Sequence, residues 1–519
     1  MSPPTDECSK SFETILYHSG KFGSYQRRVF AAVSSMHVVC SAILVYTTLF
    51  PVLEVREECI EQISAPGNAS LYMMLENGSF INPLTCRKYV ANDLGLENDW
   101  VFPPWIYPNN MTYSRAWIYY CKAGGLAFGF ISGGVMSDNF GRRRTTYASF
   151  ILLCAAQCMT GLFQSLVAFI VCQFCVGTGA GCFILSSLVL VIECLGHDWR
   201  DICLCLLPWW TGPSLLSLGA WFLRHWRHLA VISGLAGAPL IGTYFLVLES
   251  SRWLICKNRF AEAESVTKEM IACNCKPVPD MTSLFDISRA CVLTTMHTKK
   301  YCYSDFMSTR RLRKATVALV FTWLPGCMVY CSLLRRLARL TSSVYLGHVL
   351  VFNSASVVIG SAVLINKCIG RRWCMFLYAM STGLVSACVL VLHVTNDVID
   401  QQMVTWLAFF ANLGVTATMT LLAVVTLETF PTVIRSMACS VGLLLGLVGY
   451  IITDLLHVYL DPFHYTVPFL VYGALMTLVA LGMLGFPETG RTPLPDILRC
   501  RHRKLCAHES LNLRDAWTT

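Results

Sequence analysis

Twelve runs of about 20 mostly apolar residues, each long enough to cross the hydrocarbon layer of a bilayer, constrain this chain more than any other feature. They cover residues 30–50, 117–136, 148–164, 167–191, 203–222, 229–248, 315–334, 344–365, 374–394, 404–427, 437–459 and 466–486, and are called spans 1 to 12 below. An open strand in lipid leaves backbone groups unpaired, so each run reads as helix. Composition agrees: 55% of the 519 residues are hydrophobic and 14% charged, against about 25% charged in an ordinary soluble chain. So few charges cannot clothe two or three soluble domains, and the same deficit excludes disorder. Span 1 follows 29 polar residues and is too long for the apolar core of a cleaved signal, so it is expected to stay in the mature protein. The expectation is an all-α membrane protein with twelve transmembrane helices.

Polar segments divide the runs. A head covers 1–29, a long loop 51–116, a basic linker 249–314 and a basic tail 487–519. Six-helix halves are expected over 30–248 and 315–486. With the head placed inside, inner segments hold 30 of the 40 Lys and Arg, which sets the orientation. The net charge of +9 is therefore a topology signal and not a nucleic-acid one. Both termini are expected in the cytoplasm and the chain in the plasma membrane. The sequons of the chain, at Asn68, Asn77 and Asn110, all fall in the long loop, as expected of a glycosylated exterior. Cys59 and Cys86 are that loop's two cysteines, and an oxidising exterior suits a disulfide between them; two free thiols are the alternative. Most other cysteines lie in spans, where Cys acts as a small hydrophobe. Cys172 and Cys175 have redox spacing but sit mid-span, where packing is the simpler reading. Outside, arginines gather at Arg224, Arg227, Arg335, Arg336 and Arg339.

The chain also repeats itself. Asp138-Asn139-Phe140-Gly141-Arg142-Arg143-Arg144 follows span 2, and Lys367-Cys368-Ile369-Gly370-Arg371-Arg372 follows span 8, with the glycines 229 apart. Glu193 and Arg200 follow span 4, and Glu428 and Arg435 span 10, both pairs spaced by seven and 235 apart. Glu249-Ser250-Ser251-Arg252-Trp253 follows span 6, and Pro487-Glu488-Thr489-Gly490-Arg491 span 12, with the glutamates 239 apart. Charges gathering at inner helix ends would explain the bases but not the matched Glu-to-Arg spacing. Two parallel six-helix repeats do explain it.

The Gly134-x-x-x-Asp138-x-x-Gly141-Arg142-Arg143-Arg144 segment resembles the loop motif of the major facilitator superfamily. More narrowly, the chain resembles that superfamily's organic cation/anion/zwitterion transporter family. Phe22-Gly23-Ser24-Tyr25-Gln26-Arg27-Arg28, the large first outer loop and Trp226-Arg227 carry this match. So do Glu249 to Leu254, Thr426-Leu427-Glu428-Thr429-Phe430-Pro431-Thr432 and Pro487-Glu488-Thr489. The resemblance covers nearly the whole chain. It implies two halves that rock about a central site, with an inner latch that forms and breaks. In the first half the latch would comprise Gly134, Asp138, Gly141, Arg142, Arg143, Glu193 and Arg200, with Glu249 and Arg252. In the second it would comprise Glu428, Arg435 and Glu488. Positive-inside anchoring accounts for Arg142 to Arg144 but not for the carboxylates. Lys367 stands where Asp138 has its repeat partner, so the second latch is expected to be weaker or differently built. Gln173 replaces an arginine usual in the family.

Lys122 and Asp454 are the Asp, Glu, Lys or Arg residues inside the spans, and such groups are functional candidates. Each lies five residues from an outer end, about 7 to 8 Å deep. The resembled fold makes spans 2 and 11 neighbours, so the two are expected to pair as an outer gate; independent snorkelling is the alternative. His37, His348 and His457 also lie in spans, where a packed histidine is commoner than a proton relay. No metal spacing, phosphate-binding loop or nucleophile elbow occurs, so no cofactor and no enzymatic activity are expected.

The family's cavity is lined with aromatics. By resemblance its positions fall on Trp323 and Tyr330, which share one helix face, and on Phe352, Asn353, Met419 and Leu447. Leu447, Ile359 and Pro213 occupy the family's usual selector positions, so the sign of the solute's charge is open. The implied function is alternating-access transport of small organic ions, carnitine-like solutes among the candidates; facilitative, exchange-driven and ion-coupled transport, with an ion co- or counter-transported, are the alternatives. A sugar transporter of the same superfamily and a non-transporting sensor are the alternatives. The linker carries one candidate amphipathic helix at about 259–274.

Overall fold

Every one of the twelve expected runs falls on helix in a computed structural model of the chain. Its described residues are 13–20, 22–49, 73–74, 80–81, 111–163, 165–196, 198–223, 225–277, 281, 285, 306–337, 344–395, 401–460, 467–490 and 494–495. Asn68, Asn77, Asn110, Cys59 and Cys86 lie outside them. Within the long loop, Met73–Met74 and Phe80–Ile81 form a two-residue antiparallel ladder.

Spans 1 to 4 are the helices Ser24–Val45, Met111–Phe140, Arg142–Leu162 and Leu166–Cys194. Spans 7 to 11 are Arg310–Leu337, Val344–Ile369, Arg371–Thr395, Gln401–Thr429 and Arg435–Leu460. Four of these begin on arginine, a few residues before the apolar run; Arg310 is exposed, whereas Arg142, Arg371 and Arg435 are buried. Span 5 departs from a single helix. It breaks between Arg200–Cys205 and Thr211–Phe222, at the segment holding Pro208. Proline cannot donate to the ladder, and its ring disfavours helix in the residue before it. Span 6 is Trp226–Leu235, Ala238–Ile241 and a 3-10 turn to Phe245, and span 12 is Val467–Met483. Nine of the described helices are long and apolar enough to cross a membrane. Large apolar side chains such as Phe222, Phe245, Val357 and Leu384 face outward. Such a surface suits lipid and would be costly in water.

One continuous apolar core joins helices of both halves. Its tightest seam lies between spans 2 and 4. A Cβ on Gly125, Gly129 or Gly133 would meet the backbone of Phe174, Thr178 or Cys182, and one on Gly177 or Gly181 would meet span 2 in return. Small residues at four-residue spacing let two helix backbones touch, which replaces the hydrophobic drive that lipid does not supply. A smaller cluster joins the head and the linker to the first half. It joins Ile15, from a short helix over 13–19, to Trp253, Leu254 and Ile255 of Ser251–Cys256 and to Ala263 and Ile271 of Phe260–Cys273. The latter helix is the amphipathic one expected in the linker.

The seam yields a direct test. Gly129→Val forces spans 2 and 4 apart and should lower stability by about 1–3 kcal/mol. Gly242→Ala, where an added Cβ meets nothing within 4 Å, should change little. Thermal unfolding of the two variants in detergent measures the difference.

Candidate functional site

The C-terminal ends of the even spans carry a buried polar cluster centred on Glu193. Arg142 donates to it through Nε at 3.2 Å and through Nη2 at 3.4 Å. Ser250 Oγ donates to it at 2.6 Å, and Arg435 Nη1 at 3.3 Å. Arg142 also pairs with Asp138 at 3.0 Å. The side chains of Glu193 and Arg435 are wholly buried, so the centre of the cluster is shielded from water, while Asp138 at its edge is partly exposed. Inside that enclosure each charge needs its partner, since an uncompensated buried charge costs about 3–5 kcal/mol.

Backbone geometry holds the cluster in place. Gly141 has φ +106°, in the region that favours glycine, and this turn lets span 3 begin at Arg142. The first amides of span 3 point at Glu249, whose Oε1 accepts from Arg142 N at 2.9 Å and from Arg143 N at 3.1 Å. A carboxylate there satisfies orphan donors and meets the positive end of the helix dipole. A Cβ on Gly141 would collide with that carboxylate. Arg143 lies over the Tyr244 ring at 3.9 Å and donates to the Tyr244 carbonyl.

The second half repeats this arrangement. Gly370 has φ +85°, span 9 begins at Arg371, and Glu488 accepts from Arg371 N at 3.1 Å and Arg372 N at 3.2 Å. Arg371 pairs with Glu428 as Arg142 does with Glu193, and Thr489, at the position that repeats Ser250, accepts from Arg371 Nη1 at 3.2 Å. The turn glycines, the carboxylates at the starts of spans 3 and 9 and the buried Arg–Glu pairs thus match between the copies, whereas Arg200 bonds Glu13 and its repeat partner Arg435 bonds Glu193. Bonds also cross between the halves. Arg435, of the second half, reaches Glu193 of the first, and Ser436 donates to Asp138 at 3.0 Å. Gly134 faces the same span 11 surface, where an added Cβ would lie 3.6 Å from Ser440 Cβ. Arg435 further donates to the carbonyls of Leu427 and Pro495.

Two participants lie outside the residues expected from the sequence. Glu13, in the helix over 13–19, accepts from Arg252 at 2.8 Å and also from Arg200. Burial alone would raise its carboxyl, but the charges of Arg252 and Arg200 hold it down at about 2. The other is Trp210, in the break of span 5. It meets Tyr330 at 6.1 Å and stacks on Phe352 at 6.3 Å, bringing a first-half ring against two second-half rings. His348 joins the group at 5.9 Å from Phe352. The tandem Trp209-Trp210 beside Pro208 is the signal that would have flagged it.

The remaining expected cavity residues separate. Trp323 is buried in the second half, donating to Thr426 Oγ1 at 3.0 Å beneath Gly442 and Gly446. Met419 packs at Gly326 on span 7. Asn353 donates to the Val349 carbonyl of its own helix, and Leu447 is half-buried. Lys122 is buried and donates to the Leu44 carbonyl and to Thr47 Oγ1, thereby fastening span 2 to the C-terminal end of span 1. The Asp454 side chain lies outside the described residues. Gln173 donates to Thr160 at 3.3 Å, and His37 bonds Ser187 at 2.9 Å. Among the described residues, no group of three His, Cys, Asp or Glu could hold a metal ion.

Comparison with known proteins gives three findings. The model of the sugar (and other) transporter family matches residues 89–499. The chain is 25% identical to organic cation/carnitine transporter 2 of Homo sapiens over 96% of each chain, and 25% identical to solute carrier family 22 member 4 of Mus musculus over 94% of each. Its fold matches the major facilitator superfamily proton:xylose symporter XylE bound to 6-bromo-6-deoxy-D-glucose with TM-score 0.66 and 15% identity, covering 91% of this chain and 98% of that one.

The geometry at Glu13 fixes a pH dependence. A carboxyl lower in the folded than in the unfolded chain contributes its stability above the ordinary value of 4.5, and that contribution fades as pH falls towards 2. Between pH 5 and pH 3 the wild type should lose more thermal stability than Glu13→Gln, measured by unfolding in detergent.

Proposed function

The chain belongs to the sugar (and other) transporter family, and from that premise we propose that it carries small organic ions across the plasma membrane by alternating access. Transmembrane transport of small organic solutes follows from the fold and the relatives; the ionic class of solute is the finer reading. The observation that supports the mechanism most is the bond from Arg435 of one half to Glu193 of the other. A contact of this kind closes the inner side when made and must break for the halves to rock apart. Glu193 keeps Arg142 and Ser250 when Arg435 leaves, so the break does not strand its charge.

In this reading residues 30–248 and 315–486 are the moving halves, with both termini in the cytoplasm and the long loop outside. Asn68, Asn77 and Asn110 carry glycans, and Cys59 bridges Cys86. Trp210, Tyr330 and Phe352 line the passage, where their faces suit flat or cationic groups. Lys122 and Asp454 close the outer side. Transport is facilitative, exchange-driven or coupled to an ion, and the protein is not an enzyme.

Uptake by cells expressing the chain tests this. Labelled organic cations, organic anions and carnitine-like zwitterions are offered alongside glucose. Saturable uptake of one of the first three is expected, and Trp210→Ala and Tyr330→Ala should each raise its KM roughly two- to tenfold. Uptake of glucose alone indicates a sugar carrier. No uptake despite surface expression indicates a sensor that keeps the fold. In the same assay, a Lys122→Asp/Asp454→Lys double reversal that recovers nothing lost by the single reversals refutes the outer pair.

A further inference from the structure

Glu13 lies 11 residues before span 1, in a segment that neither the repeat nor the apolar pattern marks. Its carboxylate nevertheless connects to the contact between the halves by two routes. Oε1 accepts from Arg252, two residues after Ser250, and Ser250 donates to Glu193 at 2.6 Å. The same oxygen accepts from Arg200, whose Nε donates at 3.2 Å to the carbonyl of Leu195, two residues after Glu193. Glu193 is the first-half end of the bond to Arg435. The side chains of Arg200 and Arg252 are both 1% exposed, so they approach one carboxylate from inside the protein and would repel each other without it.

The helix that carries Glu13 is seated rather than loose. Ile15 packs with Trp253, Leu254 and Ile255, and Leu16 is buried. The carbonyl of Ser19 accepts from Asn274, and Asn274 Oδ1 accepts from the amide of Tyr25 at 2.8 Å. The linker helix Phe260–Cys273, through Asn274 just beyond it, thus ties the N-terminal helix to the start of span 1.

We propose that Glu13 is a positioning residue for the inner closure. Its carboxylate fixes Arg200 and Arg252, these fix the corner after span 4 and the turn at Ser250, and that corner and turn hold Glu193 where Arg435 meets it. The N-terminal helix thereby sets how firmly the two halves close. The inference rests on the carrier reading, but its test does not need the solute.

The test is site-resolved alkylation of the full chain in detergent with N-ethylmaleimide, read by mass spectrometry. Cys439 reports on the contact between the halves: it is buried in span 11, three residues from Ser436. Cys374 is the control, buried in span 9 and bonded to the Ala362 carbonyl of span 8, within the second half alone. Glu13→Gln should raise the rate at Cys439 roughly five- to tenfold and leave Cys374 unchanged. Glu13→Asp, which keeps the charge, should fall between wild type and Glu13→Gln, and it serves alone if the glutamine variant does not fold. Wild-type labelling of Cys439 in both variants overturns the proposal. So does a parallel rise at Cys374, which marks general loosening. Absence of uptake by the wild type would refute the carrier reading and leave the labelling result standing.

Discussion

A single buried carboxylate governs the inner end of this molecule. Glu193 has no contact with water and takes charge from Arg142 of its own half and Arg435 of the other. Removing it would leave two buried guanidiniums without that partner, at about 3–5 kcal/mol for a broken buried pair. A surface pair would be worth at most about 1 kcal/mol and would decide nothing. In the proposed carrier cycle that cost falls on any step that parts Arg435 from Glu193, and the Arg142 and Ser250 bonds stay with Glu193 when it does.

Duplication explains how such a site arises, and its imperfection explains how it works. Gly141 and Gly370 make the same turn, and Glu249 and Glu488 receive the same pair of amides. Those parts are internal to each half and keep it rigid. The crossing bonds are where the copies differ. Asp138 meets Ser436 across the interface, whereas its repeat partner is Lys367, a base. Closure at the inner end is thus asymmetric, with Glu193 and Asp138 of the first half receiving Arg435 and Ser436 of the second.

Much of this was legible because lipid leaves few choices. Runs of about 20 apolar residues must be helical, so all twelve spans could be placed from hydropathy. Glycines with positive φ and paired glutamates exposed the repeat, because backbone geometry and helix ends demand those residue types. What stayed hidden depends on tertiary reach. Glu13 is one carboxylate in a polar head, and only folding brings it to Arg200 and Arg252, 187 and 239 residues away. Trp210 is one aromatic among many, and its meeting with Phe352 follows from the break in span 5. The seven-residue spacing of Trp323 and Tyr330 placed both on one helix face, yet one is locked to Thr426 while the other meets a ring of the opposite half.

Separation of spans 2 and 11 at their inner ends is the central claim, and a reversible crosslink tests it most directly. At Gly134 and Ser440 the Cβ positions lie 3.6 Å apart, within the range a disulfide spans. In a Gly134→Cys/Ser440→Cys variant, oxidation should abolish solute uptake and a reductant should restore it. Full uptake with the crosslink demonstrably formed would contradict the account.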